Sequence, residues 1–279
     1  MTALAPDEVQ WLQDLLETTT AIQLDGARSG RVGMRLAPVA QRAGVGSVSE
    51  LISLARRERR GPLIDEIIDA IATHETSWFR DNDPWKVLSR AVVPEVASRR
   101  GPNRPVRIWS AACSSGQEPY SIALALTETM GPLRGRVLIT ASDFSASMVE
   151  RAAQGRFSQL EMNRGMPARY LVKYFQRDGV YWRVNDDVRS LVTFEQRNLV
   201  RPFDGMPTFD VVCLRNVLIY FDLPVRARIL EEMRRVVAPD GWLLLGSSET
   251  LLGLPVNWDY TTIDGTVLYR PKSQGAHRS

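Results

Sequence analysis

Residues 107–126 read RIWSAACSSGQEPYSIALAL. Arg107 to Ala111 has the short apolar run of a buried strand, and PYSIALALTETM, from Pro119, has the length and spacing of a helix. Between them lies a turn of small residues, Ala112 to Gly116. A strand that feeds a helix in this way opens an α/β fold, and the chain downstream repeats the alternation. Further strands are predicted at RVLITAS, SLVTFEQ, FDVVCL and GWLLLG, with an antiparallel end pair near NWDYTTI and TVLYR. Helices fill most gaps, at SASMVERAAQG and at DLPVRARILEEMRRVV with Asp222 as its cap. Residues 168–196 differ, reading as a helix and then short alternating strands about an Asp178-Gly179 turn. They predict a small antiparallel insert, about 168–190.

Upstream of this sheet the pattern is helical only. PDEVQWLQDLLE places Val9, Leu12, Leu15 and Leu16 on one face behind a Pro-Asp start. SVSELISLARRE opens with Ser47 and Glu50 at capping-box spacing. PLIDEIIDAIATH sets Leu63, Ile64, Ile67, Ile68 and Ile71 at helical spacing. HETSWFRDNDPW then interrupts the pattern, one more helix runs from Pro84 to about Arg99, and RRGPNRP forms a loop. The expected organisation is a helical domain over 1–75, a linker and connecting helix over 76–105, and an α/β domain over 106–272. A disordered tail over 273–279 would follow.

Composition removes several function classes. The 279 residues carry a formal charge of +3, and only Lys86, Lys173 and Lys272 are lysines. A mild, arginine-borne charge without a basic aromatic stripe is not a nucleic-acid footprint. Cys113 and Cys213 offer neither a disulfide framework nor metal-ligand spacing, so no metal is expected. The start lacks the pattern of a signal peptide and no segment has the apolar length of a membrane span, which predicts a cytoplasmic protein.

In an open parallel sheet, ligands bind beyond the carboxyl ends of the strands. After the first strand, small side chains and Gly116 allow close approach, and Glu118 suits an ammonium. Asp143, after the second, suits the two hydroxyls of a ribose. Asn198 and Leu199, after the third, offer an amide for a purine edge and an apolar platform. Arg215 and Asn216 follow the fourth. The first turn has neither the G-x-G-x-x-G of a dinucleotide site nor the Gly-Lys-Ser/Thr of a phosphate loop. S-adenosylmethionine has a ribose, an adenine and an amino-acid end but no phosphate, and fits this set. Each residue also has a plainer use: Asp143 can cap a helix, Glu118 can favour a helix dipole, Thr76 can cap, Asn198 and Asn216 can serve their own loops. Leu199 and Tyr220 can be core, and Arg80 and Arg215 can be ion-pair arginines. Their conjunction in order favours the site.

TSWFR at 76–80, RIWSAACSSGQEPYSIA at 107–123, ASDFS at 141–145, Asn198-Leu199, CLRNVLIYF at 213–221 and LLLGSSETL resemble the chemotaxis receptor glutamate methyltransferases, the CheR family. The likeness spans about residues 8–270. It implies a class I, Rossmann-like methyltransferase domain with a small antiparallel β-subdomain, preceded by an all-α domain. It also implies that Thr76, Arg80, Glu118, Asp143, Asn198, Leu199, Arg215 and Asn216 line the cofactor site, with Gly116 in its first turn. Arg80, Arg215 and Tyr220 would stand where methyl transfer occurs. The implied reaction esterifies glutamates on the cytoplasmic helices of chemoreceptors, releases S-adenosylhomocysteine and serves bacterial signal transduction. Glutamate is already ionised at neutral pH, so it needs no base. Arg28, Arg31, Arg35 and Arg42 could meet acidic receptor helices, although Ala37, Pro38 and Val39 interrupt the denser arginine run of relatives. The short Asp178-Gly179 loop predicts no tether to a receptor C-terminal pentapeptide. The alternative is a non-catalytic signalling module of the same fold that binds the cofactor or a nucleotide.

Overall fold

Val106–Ala111 (β1) does lead through the small-residue turn into a helix, Gln117–Met130 (α7), in the computed structural model, which describes residues 4–23, 32–58, 61–81 and 83–272. The chain divides into two compact units, residues 1–74 with 220–225 and residues 75–219 with 226–279.

The smaller unit contains helices Pro6–Thr20 (α1), Val32–Arg42 (α2), Val48–Glu58 (α3) and Pro62–Ile71 (α4). Pro6 and Pro62 open their helices, where a missing N–H costs nothing. Leu12, Leu16, Leu51, Ile52, Ile67 and Ile71 are buried, as the helical spacing predicts, and Leu36 of α2 is buried with them. Ser47 Oγ accepts from Glu50 N at 3.1 Å, but the Glu50 carboxylate accepts from Gly46 N rather than from Ser47. Arg28 and Arg31 lie outside the described residues. Arg35 donates to the Ile71 and Ala72 carbonyls at 2.9 and 3.1 Å, and Arg42 pairs with Glu66.

In the larger unit, the single helix predicted from Pro84 to about Arg99 is three pieces: Asp83–Val87 (α5), a π turn at Leu88–Val92, and Val93–Arg100 (α6). Pro94 has no N–H to offer the Arg90 carbonyl, and the helix widens in the turn before it. Strands Val137–Asp143 (β2), Val192–Gln196 (β6), Phe209–Leu214 (β7), Val237–Leu245 (β8), Trp258–Ile263 (β9) and Thr266–Pro271 (β10) join β1 in one sheet. Its order is β6-β2-β1-β7-β8-β10-β9. The first five run parallel, and β10 and β9 are antiparallel. All six residues of β7 are buried, as expected of a strand covered on both faces. Helices α7, Ala146–Gln154 (α8) and Leu223–Val236 (α12) complete the alternation, α12 beginning where Asp222 Oδ1 accepts from Val225 N.

The insert is a second sheet of Arg156–Ser158 (β3), Phe175–Asp178 (β4) and Tyr181–Val184 (β5), antiparallel in the order β3-β5-β4. It therefore draws a strand from upstream of the 168–190 segment, one too short to show alternation. Short helices Gln159–Met162 (α9), Ala168–Tyr174 (α10) and Asp186–Arg189 (α11) accompany it. Gly179, at φ +62°, opens the tight β4–β5 turn. Among the described residues no helix is long and apolar enough to cross a membrane.

The order of the large sheet locates the site. From β1 the chain proceeds outward to β2 and β6, then returns to place β7 on the other side of β1. The crevice at this reversal lies beyond Ala111 and Leu214.

Candidate active site

The turn after β1 is tightly wound. Ala112, Ser114 and Gly116 all have positive φ, at 59°, 50° and 96°. A Cβ on Gly116 would stand 2.9 Å from Ala152 Cβ, so glycine here lets α7 approach α8. Asp143, at the end of β2, accepts from Ser114 N at 2.8 Å with one oxygen and from Ser145 N at 3.1 Å with the other. Its carboxylate thus ties the first turn to the start of α8. Ser145 Oγ caps that helix by accepting from Met148 N.

Glu118, in the first turn of α7, accepts from Ser110 Oγ at 2.9 Å and from Arg215 Nη1 at 3.0 Å. The Arg215 side chain is only 1 % exposed. Its Nη2 donates to Asp81 Oδ2 at 2.7 Å and to the Arg80 carbonyl at 2.9 Å, and its guanidinium lies over the Trp85 ring. Two carboxyl groups and one guanidinium therefore sit together at the strand reversal, the acidic groups in excess. Burial pushes the Glu118 carboxyl above its ordinary range, against the opposing pull of Arg215 and Ser110. Such a cluster favours a cationic ligand.

Arg80 lies in a loop pinned from several directions. Trp78 N donates to the Arg164 carbonyl, Phe79 N to Ser121 Oγ, and Trp85 Nε1 to the Arg80 carbonyl at 2.8 Å. Phe79 and Asp81 are held at φ 47° and 69°. Arg80 is half-buried, and among the described residues no carboxylate pairs with its guanidinium. Thr76 precedes this loop in a segment without regular secondary structure. Beyond β6, Asn198 Oδ1 accepts from Val200 N and Leu199 is buried, 6 % exposed. Beyond β7, Asn216 takes φ 56°, and a 3-10 turn, Leu218–Tyr220, follows. Tyr220 is half-buried and its carbonyl accepts from Gln23 N within the smaller unit.

The structure brings Glu118, Arg215 and the Arg80 backbone into direct contact and sets Asp143 against the first turn. Asn198 also performs the plainer duty open to it, in its own loop, whereas the helix cap open to Asp143 is taken by Ser145. Sequence reading missed Asp81, Ser110, Trp85 and Glu249. Asp81 directly follows the TSWFR segment, and Glu249 lies within LLLGSSETL, so a carboxylate just past a strand or beside a site arginine was the available signal. No group of three or more His, Cys, Asp and Glu side chains suited to a metal occurs among the described residues.

These residues fit S-adenosylmethionine, whose ammonium and sulfonium suit the anionic cluster and whose lack of phosphate suits the first turn. A family model described as "CheR methyltransferase, SAM binding domain" matches residues 74–266. The chain is 39 % identical over 262 residues to "Chemotaxis protein methyltransferase 1" of Pseudomonas aeruginosa, covering 92 % of this chain and 95 % of that one. It is 37 % identical to "Chemotaxis protein methyltransferase Cher2" of Pseudomonas putida, with the same coverage. It is 36 % identical to "Chemotaxis protein methyltransferase" of Vibrio parahaemolyticus over 98 % of this chain and all of that one. With the anionic crevice, the sheet order and these likenesses together, the chain belongs to the CheR methyltransferase family and carries its S-adenosylmethionine-binding domain.

Proposed function

We propose that the protein methylates glutamate side chains on the cytoplasmic helices of chemoreceptors, forming methyl esters in the cytoplasm for chemotactic adaptation. The observation that carries this reading is the Glu118–Arg215–Asp81 cluster at the strand reversal, an anionic pocket wall in a family that binds a cationic methyl donor. When bound, S-adenosylmethionine supplies an electrophilic methyl group on sulfur. Glu118 would hold its ammonium, Asp143 its ribose, and Asn198 with Leu199 its adenine. Thr76, Gly116, Arg80, Arg215 and Asn216 would complete the wall.

A glutamate acceptor, with a pKa of roughly 4.3, reaches the site already ionised, so the reaction needs alignment more than proton removal. Cys113 and Cys213 take no part: burial holds both thiols well above their ordinary range, and both stay protonated. The two arginines divide the work. Arg215 is engaged by two carboxylates and a carbonyl, and it opposes the burial that raises the Glu118 carboxyl. Arg80 has a guanidinium to offer, and it orients the incoming carboxylate by charge-assisted hydrogen bonds. Tyr220 positions the same group. Of the arginines offered for docking, Arg28, Arg31 and Arg42 would meet the acidic receptor surface, Arg35 being held by the carbonyls that end α4, without a pentapeptide tether.

Incubation with radiolabelled S-adenosylmethionine and receptor-bearing membranes should give label on the receptor that alkali releases as methanol. Arg80→Ala should lower kcat on the order of 100-fold while leaving S-adenosylhomocysteine affinity within a few-fold. Arg215→Ala should abolish that affinity. Alkali-stable label would exclude an ester, and wild-type turnover by Arg80→Ala at saturating substrate would remove Arg80 from the transfer site.

A further inference from the structure

The loop leaving β7 is an unusual piece of backbone. Asn216 sits in the left-handed region, and the N–H groups of Asn216, Val217 and Ile219 turn toward a common point. Successive N–H groups arranged in this way make a concavity for an anion. The anion here is a side chain of the chain itself. Glu249, four residues past the end of β8, accepts from Asn216 N at 2.6 Å and Gly246 N at 2.9 Å with Oε2. Its Oε1 accepts from Val217 N at 2.9 Å and, more weakly, from Ile219 N at 3.4 Å. Glu249 N in turn donates to the Gly246 carbonyl, closing a short loop at the strand end. Gly246 leaves room for this arrangement. A Cβ there would stand 2.5 Å from Asn216 Nδ2 and 2.8 Å from Glu249 Oε2.

We propose that Glu249 is a positioning residue for methyl transfer, its carboxylate fixing the backbone that presents Arg215 and Asn216 and leads into Tyr220. The proposal rests on the reading that these three residues serve the cofactor and transfer site. Arg215 reaches Glu118, Asp81 and the Arg80 carbonyl, and the residue directly after it is the one Glu249 holds most closely. A carboxylate meets the requirement because each oxygen faces two N–H donors. Glutamine cannot substitute, since either orientation of its amide turns an NH2 toward two donors.

Glu249→Gln is therefore the test, because it preserves shape and removes only acceptor capacity. Amide hydrogen exchange at 216, 217 and 219 should accelerate, S-adenosylhomocysteine should bind about tenfold more weakly, and kcat should fall while receptor KM holds within twofold, a loss matching about one hydrogen bond to a charged group. A role confined to overall stability would lower the melting temperature without separating kcat from KM. Should Glu249→Gln fail to fold, Gly246→Ala applies the same test by displacing Asn216 while the charge remains. Faster exchange with unchanged affinity and kcat would overturn the proposal, as would unchanged exchange in a folded variant. If the wild-type protein did not bind S-adenosylhomocysteine, the reading of the site would fail together with this proposal. If the wild type bound it and Glu249→Gln matched it, this proposal alone would fail.

Discussion

Glu118 carries a charge that its surroundings relieve only in part. Desolvation is the largest influence on it and raises its pKa from the ordinary 4.5, while Arg215 and Ser110 pull it down. A carboxyl whose folded pKa is raised binds more protons in the folded state than in the unfolded one. Its stabilising share is thus complete below about 4.5 and is lost as pH rises through the raised folded value. Glu118→Gln removes this titration. Urea unfolding of both proteins from about pH 4.5 upward should show the stability difference moving in favour of glutamine and levelling off once the folded value is passed. A difference that stayed flat, or moved toward glutamate, would show that Arg215 outweighs burial. At this scale the sequence was informative about residue type and less so about partnership. It placed Glu118, Asp143 and Arg215 at strand ends, yet the Arg215–Asp81 pair joins positions 134 residues apart and depends on a folded sheet. The reach of Glu249 across to the β7 exit was equally hidden, because no local pattern encodes which N–H groups a carboxylate will meet.

Among the elements, the loop carrying Arg80 is held by the small sheet and its accompanying turns. The Trp78 ring meets Phe157 of β3 and Phe175 of β4 edge-on, with centroids at 4.8 and 5.5 Å. Phe79 stacks on Tyr170 of α10 at 4.9 Å. Gly165 lies directly beneath this loop at φ +96°, and a Cβ there would stand 2.3 Å from the Trp78 carbonyl oxygen. The obstruction is backbone, so it cannot rotate away, and Trp78 N is already committed to Arg164. Gly165→Ala should therefore cost roughly 1–3 kcal/mol in urea unfolding and lower kcat by displacing Arg80. Retention of both stability and kcat would show that this contact relaxes freely. The five parallel strands of the large sheet were legible because short strand-like runs alternate with helical spacing, and β9 and β10 as an antiparallel pair about the Asp264-Gly265 turn. Strand β3 has three residues between a helix cap and the next helix, too few for any period to register. The π turn was missed for a different reason: Pro94 signals a disturbance but not whether the helix breaks or widens.

For the molecule as a whole, one chain joins a helical unit rich in arginine to a catalytic unit with an anionic pocket. The helical character of the first was readable from spacing alone, but the inclusion of residues 220–225 in it was not, since that segment lies far away in sequence. Attraction to acidic receptor helices should act at the exposed surface, where ions screen charges beyond roughly 8 Å at physiological salt. The Glu118–Arg215–Asp81 cluster is largely buried and screened less. Raising salt from 50 to 300 mM should therefore increase the receptor KM several-fold while leaving S-adenosylhomocysteine affinity nearly constant. The individual arginines should separate as well. Arg35 is occupied with the carbonyls that end α4, so Arg35→Ala should lower the stability of the helical unit by about 0.5–1.5 kcal/mol and hardly change KM. Arg42, whose pair with Glu66 is open to solvent on both sides, gives up little when it exchanges that partner for a receptor carboxylate. Arg42→Ala should raise KM and leave the melting temperature alone. The reverse pattern, with KM following Arg35 and stability following Arg42, would place the receptor-facing surface elsewhere on the protein.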